Sequence, residues 1–308
     1  MKTAVIILNW NGWGDTTRCL DSVLPLLQKE DFLFIVDNGS SDESVIEIDR
    51  YLEKTIHKHV KCAPENLEDA YLYDIKTYLV CNRVNGGFSA GNNLVLKQLR
   101  TLGDFKFVWL LNNDAVADKK ALFALKSSLE NNEKSGVSGS LILNYPDNGL
   151  IQCAGVKYHP YLGVSQLILK SKPLSKLSDA IDFDYLNGAS LFLRLEALET
   201  VSFFDEKYFL YSEEFDLQLR MKKAGYELHL CKESRVYHEM SSGTSKSRHK
   251  FYYYYSRSAV LLSKKHFSFF TRTTAVFNLS LITFIRTFPS LKNFTWGMKG
   301  IWEGLRTK

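Results

Sequence analysis

The sequence predicts an α/β fold built on a mainly parallel central sheet flanked by helices, followed by a basic helical extension. Three observations predict it. Short apolar runs alternate with helically spaced apolar positions through the first 130 residues, the mark of βαβ units. Each unusual polar cluster falls directly after one of those runs, and open α/β sheets bind ligands at that carboxyl edge. From Lys246 onward the chain turns basic and aromatic, with twelve Lys or Arg against one acid, Glu303.

Taken in order, Thr3 to Leu8 is a first strand that ends in the polar Asn9, Trp10, Asn11 and Gly12. Asp15 is placed to cap a helix whose apolar residues Cys19, Leu20, Val23, Leu24 and Leu27 recur at helical spacing. Phe32 to Val36 is a second strand, running into DNGSSD, where Asp42 is placed to cap the next helix. Asp49 to Asp74 is charged and helix-like without a motif, and reads as an insertion on the sheet's flank. Tyr78 to Cys81 and Phe107 to Leu111 are the third and fourth strands, the first running into NRVNGGFSAGNN and the second into NND. After residue 136 the alternation breaks down. Val137 to Asn144, Ile151 to Tyr158 and Leu186 to Arg194 read as strands with longer connections, and a helix starts near Ser212. The segment MSSGTSKS, Met240 to Ser247, reads as a link that separates a domain of residues 1–245 from an extension of residues 246–308.

A chain of 308 residues suits one large α/β domain or two modest ones. Hydrophobic residues at 45%, aromatics at 13% and charged residues at 24% exclude a disordered, collagen-like or disulfide-scaffold protein. The five cysteines lie far apart, without a C-x-x-C pair and odd in number, so neither a zinc site nor a closed disulfide framework is expected. The apolar run Ala4 to Leu8 is too short for a signal peptide. The best spanning candidate, between Arg272 and Arg286, has thirteen residues where a span needs roughly 20. A cytoplasmic location is therefore expected. The net charge of +5 averages a tail of +11 with a body of −6.

Five polar clusters are candidates for chemistry, and each also has a plain structural reading. VDNGSSD, residues 36–42, is a turn and helix cap, yet Asp37 at a strand's end can accept the N3 hydrogen of a pyrimidine. NGGFSAGNN, residues 85–93, is a glycine-rich turn opening a helix, suited to backbone amides near a phosphate. It fits neither the Rossmann fingerprint nor a P-loop, and packing alone does not readily account for Asn92 and Asn93. WLLNNDA puts Asp114 after a buried strand, where one carboxylate with neighbouring amide oxygens suits a hard divalent cation; Asp118 is the better cap for the helix that follows. FLYSEEFDLQLR carries Glu213, Glu214 and Asp216. Ser212 as cap and an Asp216–Arg220 pair explain part of it, but two adjacent glutamates facing a cleft would raise one another's pKa, which tunes a carboxylate as a base. VYHEMSSGTS ends a short strand at His238, an imidazole that with an aspartate and phosphate oxygens makes a Mn²⁺ or Mg²⁺ shell.

The order of these clusters, VIILNWNG, VDNGSSD, NGGFSAGNN, WLLNND, LNGASLFLR, FLYSEEFDLQLR and VYH, resembles the family-2 inverting glycosyltransferases of the GT-A fold, especially the bacterial rhamnosyltransferase-like branch. The likeness runs from about residue 2 to 262 and includes YYYYSRS. It implies a nucleotide-diphosphate sugar donor, dTDP-rhamnose or a UDP-sugar. The donor would be held by Asn9, Trp10, Asn11, Asp37, Asn38, Asn85, Gly86, Gly87, Phe88, Asn92 and Asn113. Asp114 and His238 would hold a divalent cation, Mg²⁺ or Mn²⁺, on the diphosphate, with the amides of residues 86–88 helping the leaving group. Asn187, Gly188 and Ala189 would line the acceptor side, and Glu214, with Glu213 beside it, would be the base that deprotonates the acceptor. The family's D-x-D is here Asn112, Asn113, Asp114, and its Glu-Asp pair is Glu213-Glu214. The first change predicts weaker metal binding or partial metal independence, and the second leaves open which glutamate reaches the acceptor. A glycan or lipid-linked acceptor in surface polysaccharide synthesis is implied.

Two other classes compete. A sugar nucleotidyltransferase needs basic residues directly after the first strand to hold a triphosphate, and NWNGWGD has none. A carbohydrate-binding protein that kept the fold without activity is favoured only by the missing D-x-D aspartate. The tail's interleaved bases and aromatics invite a nucleic-acid reading, but no nucleic-acid module accompanies them, and none is expected as a partner. The apolar residues of the tail cluster as amphipathic helices do, leaving two readings, a cover for the catalytic body or a peripheral contact with anionic membrane.

Overall fold

The computed structural model describes residues 1–56, 58–71, 75–239 and 247–307. The first half alternates as β1 (Thr3–Asn9), α1 (Trp13–Val23), β2 (Phe32–Asn38), α2 (Ser44–Thr55), β3 (Val60–Cys62), α3 (Leu67–Ala70), β4 (Thr77–Asn82), α4 (Gly87–Leu96), α5 (Leu99–Leu102), β5 (Phe107–Asn112), β6 (Ala115–Ala117) and α6 (Ala121–Glu130). It continues as β7 (Ser135–Asn144), β8 (Leu150–Cys153), β9 (Val156–His159), β10 (Val164–Leu167), β11 (Lys172–Pro173), β12 (Ser190–Arg194), α7 (Leu195–Thr200), α8 (Glu213–Lys223) and β13 (Glu227–His238). Three helices follow: α9 (Arg248–His266), α10 (Phe269–Thr287) and α11 (Leu291–Arg306).

Among the described residues an 11-stranded sheet runs in the order β11-β8-β7-β12-β5-β1-β2-β4-β3, with β13 paired to β7 and β6. The strands β3, β4, β2, β1 and β5 are parallel, and β12 enters antiparallel to both β5 and β7. All seven residues of β2 are buried, as a strand covered on both faces requires. Period-2 alternation sends Val5, Ile7, Leu33 and Ile35 to one face with Cys19, Leu20, Ile48 and Leu52, and Ala4, Ile6, Phe34 and Val36 to the other with Val95, Leu96 and Leu99. The parallel strands therefore deliver their carboxyl ends, Asn9, Asn38, Asn82 and Asn112, to one edge. Antiparallel β12 brings its amino end to that same edge.

Several local expectations need correction. Helix α1 starts two residues before Asp15, which sits in the first turn and pairs with Arg18 at 2.7 Å instead of capping. The helix ends at Val23 because Pro25 turns the chain into a 3₁₀ turn over Leu24–Leu26. The expected insertion is not one helix: α2 reaches Thr55, burying Ile48 and Leu52, and Val60–Cys62 pairs with β4 as a sheet edge. A three-residue edge strand carries no alternation long enough to read. Ile151 to Tyr158 divides into β8 and β9 because Gly155 between them takes φ +112°. The stretch Leu186–Ala189 is loop, with β12 starting at Ser190. Asp42 and Asp118 do accept the amides of Ser44 and Lys120 at 3.0 Å, just ahead of their helices. Of the link, residues 240–246 lie outside the described residues.

The extension is helical, as expected. Ser268 and Ser290 cap α10 and α11 by accepting the amides of Thr271 and Asn293. Helix α11 lies close along α9 because a Cβ at Gly300 would overlap the Tyr253 carbonyl and one at Gly304 would sit 2.8 Å from the Arg257 carbonyl. Leu261 and Leu262 of α9 join the main core. No helix among the described residues is long and apolar enough to cross a membrane.

Candidate active site

At the end of β1, Asn9 is fully buried and acts as a hub. Its amide nitrogen donates to Asp37 Oδ2 at 2.8 Å and to Ser40 Oγ at 3.2 Å, and its Oδ1 accepts from the Thr16 hydroxyl at 2.8 Å. Asp37 accepts further bonds from the Ser40 amide at 3.0 Å and the Ser40 hydroxyl at 2.5 Å. With 1% exposure, its carboxylate is enclosed by the turn. Asn11, at φ +51°, accepts the amides of Ser41 and Asp42 and binds Ser40 through its own amide. Trp10 stands exposed beside it.

The glycine-rich turn is locked to this one. Asn38 Nδ2 donates to Asn85 Oδ1 at 3.1 Å and to the Gly87 carbonyl at 3.0 Å. A Cβ at Gly39, φ +73°, would meet the Asn85 nitrogen at 2.7 Å, so only glycine permits the approach. The amides of Gly86, Gly87 and Phe88 bond to Asn38 Oδ1, Asn85 Oδ1 and the Phe209 carbonyl. Those three amides are thus spent inside the protein, which corrects the expectation that they face a leaving group. Asn92 is buried and donates back to the Phe88 carbonyl at 2.9 Å, and Asn93 ties Phe204 and Glu206. Packing accounts for both.

Gly87, at φ +81°, rests against Phe209 so closely that a Cβ would overlap the Phe209 carbonyl. The glycine-rich turn thereby touches the segment that carries the acidic pair. That segment is strained: Tyr211 and Ser212 are consecutive left-handed residues, φ +70° and +64°. Ser212 occupies the N-cap position of α8 without the expected side-chain bond, because its left-handed backbone turns the hydroxyl away. Helix α9 holds the segment: Tyr254 stacks on Phe209 with centroids 4.6 Å apart, Tyr255 and Phe251 meet Tyr211 edge-on, and Ser258 Oγ donates to the Leu210 carbonyl at 2.8 Å.

Within α8 the two glutamates differ. Glu213 is buried, and its Oε2 has no hydrogen-bond partner among the described residues. Burial first, then the neighbouring Glu214 charge, pushes its carboxyl well above the ordinary range. Glu214 is half-buried; burial raises it from 4.5 to about 7. Gly188 is its neighbour, since a Cβ there would lie 3.5 Å from Glu214 Cγ. Asp216, itself fully buried, points away into an ion cluster with Arg220, Lys265 and His266, of which Lys265 reaches solvent. Burial pushes its carboxyl up, but His266, Arg220 and Lys265 outweigh this and hold it at about 2. The expected Asp216–Arg220 pair is present, at 2.8 Å.

From Gly188 the edge continues to the fourth strand. The Asn112 amide donates to the Ala189 carbonyl at 3.0 Å. Asn112 Nδ2 lies 3.3 Å from His238 Nε2, which lies 3.1 Å from Asp114 Oδ1. Asn113 returns to the start, donating to Thr16 Oγ1 at 3.1 Å and lying 3.5 Å from Asn9 Oδ1. Sequence reasoning missed Gln152, a buried amide inside an apolar strand. Its Nε2 donates to the His238 carbonyl at 2.8 Å, so its Oε1, 2.8 Å from His238 Nδ1, accepts that ring nitrogen's proton. Nε2 is left to face Asp114, the orientation a metal-binding imidazole takes from such a partner. Among the described residues no group of three or more His, Cys, Asp or Glu is arranged to hold a metal. Asp114 and His238 therefore fit a hard divalent cation only where a ligand such as a diphosphate completes the shell.

The expected residues thus form a closed ring at one sheet edge: Asn9 and Asp37, Asn38 and Asn85 to Gly87, Glu213 and Glu214, Gly188 and Ala189, then Asn112 to Asp114 with His238. Residues 4–156 match the family described as "Glycosyl transferase family 2", and residues 168–305 match "Glycosyl transferase family group 2". No curated protein sequence matches the chain. Among solved structures, a GalNAc-T7 crystal structure with UDP, GalNAc and Mn²⁺ is similar at 15% identity and a TM-score of 0.62, covering 99% of this chain and 57% of that one. The S. aureus TarS structure has 14% identity and a TM-score of 0.58, covering 99% and 49%. The Pyrobaculum calidifontis mannosyltransferase PcManGT, in complex with GDP-Man and Mn²⁺, has 12% identity and a TM-score of 0.58, covering 99% and 86%. The chain thus spans about half the length of the first two of these.

Proposed function

The chain belongs to glycosyltransferase family 2 and has the GT-A fold, and from that premise we propose that it transfers a sugar from a nucleotide-diphosphate donor to a glycan or lipid-linked glycan, inverting the anomeric centre. The donor is dTDP-rhamnose or a UDP-sugar, and the setting is surface polysaccharide synthesis at the cytoplasmic face of an anionic membrane. The observation that carries the reading is the ring itself, which sets a raised, half-buried Glu214 against Gly188 on the same edge as the Asp114–His238 pair.

Within it, Trp10 and Asn11 lie against the nucleoside, and Asp37 shapes the turn beneath them through Asn9 and Ser40. Asp114 and His238 would hold Mg²⁺ or Mn²⁺, which supplies charge neutralisation for the diphosphate when bound. Glu214 accepts the acceptor hydroxyl's proton as that oxygen attacks the anomeric carbon and the nucleoside diphosphate departs from the opposite face. A carboxyl near 7 matches this task, since a base works best with a pKa near the working pH. Glu213 stays protonated behind it and keeps a second negative charge away from the acceptor oxygen. Gly188, lacking a side chain, leaves room for the sugar hydroxyl beside Glu214.

The test is a panel of nucleotide sugars incubated with and without Mn²⁺, followed by product analysis. Release of nucleoside diphosphate with an inverted product is expected. Release of pyrophosphate identifies a nucleotidyltransferase instead, and binding without turnover identifies a carbohydrate-binding protein.

A further inference from the structure

Helix α10 is apolar on two opposite faces. One face, Ala275, Leu279, Thr283 and Thr287, is buried. The other, Phe270, Phe277, Leu281, Phe284, Ile285 and Phe288, is 50–74% exposed. At about 100° per residue those six positions fall within one stripe about 100° wide along a helix 19 residues long, or roughly 28 Å. The inner face is already packed, so the exposed apolar stripe on the opposite side marks an interaction surface.

Charge identifies the occupant. From Arg248 to Trp302 the chain carries no Asp or Glu, while Lys292 stands exposed just past the carboxyl end of the stripe. A second copy of this surface would set two segments of +11 against each other, and like charges across an interface oppose association. An anionic bilayer complements both features at once, accepting aromatic rings at its boundary and attracting the cations. No described helix can cross a membrane, so α10 lies in the interface plane.

We propose that the outward face of α10 docks onto an anionic lipid surface, with Phe277 and Phe284 inserted and Lys292 at the headgroups. The inference deepens the proposed function and rests on it for its purpose, the meeting with a lipid-linked acceptor; the contact itself is measured without any donor. The purified full chain is titrated with vesicles of phosphatidylcholine alone and of phosphatidylcholine mixed with phosphatidylglycerol. Tight binding to the mixed vesicles, weakened by salt, is expected. The double variant Phe277→Ser with Phe284→Ser should lose about 100-fold in vesicle affinity, roughly tenfold for each half-immersed ring. Its unfolding midpoint should not fall, because both rings are outside the core. Lys292→Gln should lose about fivefold, and only on the anionic vesicles. Wild-type protein that ignores anionic vesicles overturns the proposal, as does a Phe277/Phe284 variant that binds like wild type. A solution dimer broken by that variant, without vesicle binding, overturns it in favour of contact between copies. Vesicle binding through this face by a chain that turns over no donor would sink the transferase reading and leave the docking surface standing.

Discussion

Replacing Glu214 with glutamine should stabilise the protein at alkaline pH while abolishing transfer. Burial raises the Glu214 carboxyl from 4.5 to about 7, so the folded chain keeps a proton that the unfolded chain gives up. The sign follows directly: the native state holds its full advantage below about pH 4.5 and loses it as pH climbs through about 7. A shift of that size corresponds to about 3 kcal/mol. A neutral amide in place of the carboxyl does not ionise, so the variant escapes the loss. Wild type and Glu214→Gln should therefore unfold alike in urea near about pH 4, and the variant should be more stable by about 3 kcal/mol near about pH 8. In thermal unfolding the alkaline difference should be about 5 °C. Wild-type kcat should rise with pH through about 7 as Glu214 ionises. A variant no more stable at alkaline pH than wild type would refute the buried, raised carboxyl. Retained transfer in the same variant would remove Glu214 as the base and direct attention to Glu213.

Three further outcomes are expected. Gly87→Ala must place a side chain at φ +81° against the Phe209 carbonyl; the left-handed backbone alone costs more than about 1 kcal/mol, and the KM for donor should rise at least about tenfold, measured by donor hydrolysis beside a thermal melt. Gln152→Leu removes both bonds that orient His238 and should weaken Mn²⁺ binding in the presence of UDP by about 10- to 100-fold in calorimetric titration; unchanged affinity would show that Gln152 does not set the imidazole. Asp216→Asn should cost about 2 kcal/mol at neutral pH, because a carboxyl held at about 2 stabilises the fold above its ordinary 3.8 and loses that effect as pH falls toward 2. Urea unfolding at neutral pH and at about pH 2 checks it, and a difference that persists in acid contradicts the ion cluster.

The parallel half of the sheet was legible because its strands are buried on both faces and read as unbroken apolar runs, with polar clusters at their ends. The antiparallel half was less so. Gly155 breaks an apolar run that sequence alone joins, and β3 is too short to carry a period. Site residues at strand ends were legible by type, but their wiring was not. Asp37 looked like an open acceptor for a base, whereas Ser40 and the sequence-distant Asn9 already give it three hydrogen bonds in the fold. Gln152 lies 86 residues from His238 in sequence and resembles a stray polar residue in LIQCA; a lone amide inside an otherwise apolar strand was the available signal. The four consecutive tyrosines gave no periodic hint that Tyr254 and Tyr255 reach opposite aromatic partners, Phe209 and Tyr211.

That last contact changes what the extension can be. Two consecutive left-handed residues ahead of Glu213 cost on the order of 1–3 kcal/mol each unless their surroundings fix them, and among the described residues the fixing groups lie largely on α9. The same helix ends in Lys265 and His266, which hold Asp216 two residues beyond Glu214, and in Phe267, stacked on Tyr158 at 5.5 Å. Tyr158 in turn packs on Phe215, the residue after Glu214. Removing residues from 264 onward would therefore loosen the helix that bears Glu213 and Glu214 as well as discarding the apolar face of α10. A truncation that lost both activity and vesicle binding would prove neither role. Substitutions confined to Phe277 and Phe284 leave α9 untouched, so they separate the two: full donor hydrolysis without vesicle binding assigns docking to α10 and shows that the site does not depend on that face. Loss of hydrolysis in that variant would mean that the outer face of α10 transmits to the site, contrary to the packing described.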